Sequence, residues 1–140
     1  MKALPRALPV AGLRSTQANV AIKLKRAYDP ASPQDGHRYL VEKLWPRGVS
    51  KERLALTAWT KELSPSTELR QWYAHDPKRW PQFRGRYDAE LEASDKQELL
   101  ARLAAEARAG NVTLVFATKD SEHSGARVLK DVIERMLNRG

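Results

Sequence analysis

The 140 residues contain no cysteine. That excludes a disulfide framework, a thiolate metal site and a thiol nucleophile, and it suits a reducing cytoplasm, the expected location. Long apolar runs are missing too. None approaches the ~20 residues that a membrane span needs, so no membrane association is expected. Only three histidines occur, at positions 37, 75 and 123, too far apart for an i, i+4 ligand pair, and no metal site is expected. No glycine-rich phosphate fingerprint and no nucleophile-elbow motif is present, and no cofactor is indicated. Acidic residues are absent from the first 28 positions, which carry six of the 25 Lys and Arg residues, so the remainder holds 19 basic against 17 acidic residues. The formal charge of +8 is therefore concentrated at the N-terminus. Binding to nucleic acid is expected to be weak and non-specific, because the body of the chain is almost balanced.

The length fits one domain with its own core. Pro5 and Pro9 interrupt residues 1–19, which sustain no hydrophobic period and read as a mobile basic leader to a domain over 20–140. Val20, Ile22 and Leu24 alternate with Ala21, Lys23 and Lys25 in the pattern of a strand. A second strand is expected from His37 to Leu44, broken by Trp45-Pro46-Arg47-Gly48. Ser50 is placed to cap a short helix over Lys51–Ala55, while Leu56 to Leu63 reads either way. Helix starts are expected at Ser64-Pro65, Asp76-Pro77 and Ser94. Trp80, Phe83, Tyr87 and Leu91 share one helical face, which points to burial rather than to a stacking platform. Gly110 is expected to end the third helix in the left-handed region. Val112 to Ala117 reads as a strand buried on both faces, and a last helix runs from about Ser124 to Asn138. Strands, loops and helices in this order imply an α/β fold with a largely parallel central sheet.

Three segments carry polar groups suited to chemistry. Thr118 to Gly125 follows a strand and feeds a helix, where anions bind in open α/β sheets; Lys119 adds charge and His123 is the one plausible acid–base group. Trp45 and Arg47 sit in a rigid loop after a strand, suited to stacking and to pairing with an anion. Leu69 to Trp80 interleaves basic and aromatic residues, as a single-stranded nucleic-acid surface would. Each has a structural alternative: a capped solvated loop, a core Trp with a salt-bridged Arg, and core aromatics with outward charges. In a parallel sheet Arg47, Lys119 and His123 are expected around one cleft, lined by Trp45 or Tyr87.

Together these segments resemble a known family. Ile22 to Asp29 (IKLKRAYD), Asp35 to Gly48 (DGHRYLVEKLWPRG), Leu63 to Arg70 (LSPSTELR), His75 to Trp80 (HDPKRW), Phe83, Arg86-Tyr87, Glu90-Leu91, Leu114 to Asp120 (LVFATKD), His123 and Val128-Leu129 are similar to the YeaO-like branch of domain-of-unknown-function family 488. The resemblance spans about residues 22–137 and implies a small Rossmann-like layered domain. It carries over Arg26, Arg38, Trp45, Arg47, Ser66, Arg70 and Tyr87 as candidate ligand-binding residues for an anionic, nucleotide-like small molecule, and Lys119 and His123 as candidate catalytic residues. Two departures stand out. Glu42-Lys43 replaces the usual Asp-Arg, and Ser124-Gly125 stands where an Asn-His pair is frequent. The leading reading is a cytoplasmic enzyme or binding protein for an anionic ligand. The alternatives are a nucleic-acid-associated module and an interaction domain without a site.

Overall fold

Strand β4 (Val112–Phe116) is the centre of the molecule, and all five of its residues are buried. Its β-branched and aromatic residues suit a strand covered on both faces. The computed structural model describes residues 22–139; the leader expected over 1–19 lies outside them, as do Val20 and Ala21. β1 (Ile22–Arg26) pairs with β4 on one side, with Ile22 opposite Val112 and Arg26 opposite Phe116. β2 (His37–Leu40) pairs with it on the other, and the two-residue β3 (Ala58–Trp59) pairs with β2 at the edge. The sheet order is β1-β4-β2-β3 and every pairing is parallel. The fold is α/β, as expected, with Rossmann-like layering.

Alternation along the strands divides the core in two. Ile22, Tyr39, Val112, Leu114 and Phe116 join one large cluster, whereas Leu40 and Val115 join a smaller one with Ala27, Val49 and Leu54. The large cluster is covered by α2 (Thr67–Tyr73), α3 (Trp80–Glu90), α4 (Ser94–Ala109) and α5 (Gly125–Arg139). The smaller one is covered by α1 (Lys51–Leu54), by loops, and by Trp45 and Trp59 in edge-to-face contact at 5.5 Å. Connections β1 to β2 and β2 to β3 advance across the sheet over this thin face, and the connection from β3 to β4 returns over the helical face. A uniform crossover hand requires that arrangement.

Local chemistry sets the boundaries. Ser50 accepts the Arg53 amide and caps α1 as expected. The helix expected from Ser64-Pro65 begins at Thr67 instead, because the Ser66 hydroxyl takes the Leu69 amide. Asp76 caps a 3-10 turn over Pro77–Arg79 that leads into α3. Gly110 is extended (φ −178°) rather than left-handed. β2 ends at Leu40, short of the expected Leu44, since β3 offers partners only to Tyr39 and Leu40. Gly36 has φ +64°, and a Cβ there would lie 2.1 Å from the Asn111 carbonyl oxygen, so the turn into β2 requires glycine.

Candidate functional site

Two adjacent strands send their chains to opposite faces. After β2 the chain turns to the thin face; after β4 it turns to the helical face. The carboxyl ends of β2 and β4 therefore form a topological switch point, where open α/β sheets open a crevice. A cavity of about 120 Å³ lies there, between Val41 and Glu42 after β2, Thr118 after β4, Arg70 of α2, and Ser124 and Gly125 at the start of α5. That is smaller than the ~300–1,000 Å³ of sites for drug-sized ligands, so it fits a small molecule or one end of a larger one.

Each wall is fixed from behind. Glu42 Oε2 accepts the Ala117 amide at 3.2 Å, and the Glu42 carbonyl accepts Trp59 Nε1 at 2.6 Å. Arg26 donates to the carbonyls of Ala117 (3.0 Å) and Thr118 (3.2 Å), which holds the exit of β4. Tyr73 and Phe83 stack at 4.2 Å beneath the cavity, and the Tyr73 hydroxyl donates to the His123 carbonyl at 2.7 Å. Burial, with the charges of Asp120 and Asp76, raises the pKa of the Tyr73 phenol, so it remains a donor at neutral pH. The buried Ser124 accepts the Arg127 amide at 3.3 Å. The amides at the very start of a helix have no partner within it, and Gly125 and Ala126, the first two residues of α5, border the cavity. Gly125 packs tightly, since a Cβ would stand 3.3 Å from Tyr87 Cε2. Ala74 and His75, both left-handed (φ 47° and 57°), swing His75 to the cavity rim.

The decisive group is Arg70. It lines this cavity and is half-buried; its Nε is buried and has no hydrogen-bond partner among the described residues. Buried polar atoms are nearly always paired; the two orphaned guanidinium nitrogens among the described residues are Arg38 Nη2, inside the ion cluster of the thin face, and Arg70 Nε, and of the two residues Arg70 is the one that lines this cavity.

Of the nine candidate residues, the cavity gathers Arg70 alone. Arg26 supports it from behind. Arg38 is 3% exposed and lies on the thin face, donating to Asp35 Oδ2 at 2.7 Å and to the Leu54 carbonyl at 2.9 Å. Asp35, itself fully buried, also takes Lys23 and Lys25 at 3.3 and 3.1 Å. Burial alone would raise the Asp35 pKa, but the Ser32 amide and the three cations outweigh it and hold the carboxyl well below its usual range. Trp45 donates to the Val49 carbonyl at 2.6 Å and packs in the smaller core. Ser66 binds Glu90 through its hydroxyl (2.6 Å) and amide (2.9 Å). Tyr87 is completely buried, and its hydroxyl donates to the Leu63 carbonyl. Arg47 and Lys119 are exposed. His123 Nδ1 lies 2.7 Å from Asp120 Oδ2, with its ring edge-on to Trp80 at 5.4 Å. The hydrogen bond to His123 lowers the pKa of the exposed Asp120.

The expected cleft shared by Arg47, Lys119 and His123 is not formed: Trp45 and Val49 carry the Arg47 loop onto the thin face, whereas His123 packs on the helical face. Sequence reasoning missed Glu42, Ser124 and Gly125 as wall residues. The departures at these positions were the available signal. A larger open groove of about 680 Å³ borders the C-terminal part of α5, but its Arg135 and Asp88 pair with each other at 3.4 Å.

A family model described as the inactive DUF488-N3 subclade matches residues 21–140. The uncharacterised protein YeaO of Escherichia coli K12 is 43% identical over 110 residues, covering 79% of this chain and 94% of that protein. The uncharacterised protein Rv3073c of Mycobacterium tuberculosis H37Rv is 38% identical over 121 residues, covering 86% of this chain and 97% of that protein. No solved structure matches the chain significantly. Among the described residues no helix is long and apolar enough to cross a membrane, and no group of three metal-ligating side chains occurs. The chain belongs to the DUF488 family, within its inactive DUF488-N3 subclade.

Proposed function

We propose that the chain is a cytoplasmic ligand-binding domain that takes a small anionic molecule in the crevice between β2 and β4, without a chemical step of its own. The observation that carries this reading is the buried, unpartnered Nε of Arg70, a residue that lines the cavity. An anion there would accept from Arg70 and meet the first amides of α5, two complementary sources of positive potential. The description of the subclade as inactive supports binding rather than catalysis. His123, the acid–base candidate, is held by Asp120 and does not line the cavity. The nucleic-acid reading is less well supported: the guanidinium groups of Arg86 and Arg79 already lie over the Trp72 ring, at 4.3 and 5.0 Å.

The test is a thermal-shift series with phosphate, acetate and other small carboxylates, and nucleotides. A ligand present at 100 times its Kd stabilises by about 2.7 kcal/mol, and the rise should vanish in Arg70→Met. Equal shifts in wild type and Arg70→Met would overturn the proposal.

A further inference from the structure

The cavity carries two opposite charges that are not spent on each other. Arg70 Nε is buried without a partner, and the half-buried Glu42 uses Oε2 to hold the Ala117 amide, which leaves Oε1 free to accept from a ligand in the cavity that both residues line. The charged lining formed by this pair is formally neutral. A simple anion would satisfy Arg70 and the start of α5 but would sit beside an uncompensated carboxylate. A cation would do the reverse. Each half-match leaves one charge of the lining without a partner, so complementarity favours a ligand that carries both signs. A molecule with a carboxylate at one end and an ammonium at the other satisfies both. We propose that the crevice binds a small amino-acid-like zwitterion, its carboxylate on Arg70 and the α5 amides, its ammonium on Glu42. The small volume, about 120 Å³, limits the ligand to a short chain, and the stacked Tyr73 and Phe83 supply an apolar wall for its methylene groups. The inference rests on the anion-binding reading of this site and narrows it.

The experiment is calorimetric titration of the full chain with glycine, β-alanine and γ-aminobutyrate, each beside the carboxylate lacking the amine: acetate, propionate and butyrate. At least one amino acid is expected to bind tenfold or more tightly than its amine-free counterpart. Glu42→Gln keeps an acceptor for the Ala117 amide; it should abolish the advantage, so that each amino acid binds no more tightly than its amine-free counterpart. The wild-type series is decisive even if that variant folds poorly. If no amino acid exceeds its counterpart while carboxylate binding still depends on Arg70, the zwitterion inference falls and the anion site stands. If nothing binds in an Arg70-dependent way, both fall.

Discussion

The two faces of the sheet are built from different physics. On the helical face, four helices bury an aromatic and aliphatic core in which Tyr73, Phe83 and Tyr87 touch in succession. On the thin face, a four-residue helix and loops cover a small apolar patch beside one buried carboxylate and its three cations. Burial of apolar surface on the first face is cumulative and tolerant. The ion cluster on the second is conditional, because each buried charge is stable only while its partner is present. The crevice lies where the chain passes from one regime to the other, and there Arg70 retains a buried donor that neither regime satisfies.

The largest effects are expected from breaking each face at its centre. Asp35→Asn removes the charge that holds Arg38, Lys23 and Lys25, and should destabilise by about 3–5 kcal/mol in chemical denaturation. Phe83→Ala on the helical face should cost a similar ~3–5 kcal/mol, through lost burial and the cavity left behind. The two should differ in coupling. Combining Asp35→Asn with Arg38→Met is expected to cost less than the sum of the single changes, by about 0.5–3 kcal/mol, while Asp35→Asn and Phe83→Ala should add. Additivity within the Asp35–Arg38 pair would contradict the conditional character of that face.

Acid separates the faces further. The Asp35 pKa is depressed in the folded state, so its contribution is fully present above the unfolded carboxyl value near 4 and is lost as pH falls through the lower folded value. Wild type should therefore lose stability on acidification below about pH 5, with a flatter profile in Asp35→Asn. Phe83→Ala should keep the wild-type slope. Urea midpoints between pH 7 and pH 3 measure both.

Gly36→Ala should destabilise by at least about 1–3 kcal/mol, since a left-handed residue would gain a Cβ against the Asn111 backbone. The smallest effect is expected at the crevice. Arg70→Met removes a buried donor without a partner, so stability without ligand should be unchanged or slightly higher even as anion binding is lost. A loss above about 2 kcal/mol would show that Arg70 holds the fold instead.

Much of this was legible in the sequence, for identifiable reasons. β4 is apolar at four of its five positions, Ser50 stands one residue before its helix, and the spacing of Phe83 and Tyr87 announced their burial. The site was less legible because it depends on strand order. Trp45 and Arg47 follow β2, and Lys119 and His123 follow β4, so a parallel sheet suggests one shared edge. Only the order β1-β4-β2-β3 shows that the two connections leave for opposite faces. Arg38 looked like a ligand-binding residue because nothing local reveals that Asp35, three positions earlier, folds back to neutralise it. Arg70 entered through the family resemblance, and its missing partner is a tertiary property.

The most direct measurement is the 15N–1H resonance of the Arg70 Nε–H group during titration with acetate and with phosphate. The proposed function predicts a saturable shift of that resonance at concentrations that leave the exposed Arg47 unmoved, together with protection of the proton from exchange. An Arg70 signal that stays fixed, or that moves only in parallel with Arg47 as an unspecific response to salt, would contradict it.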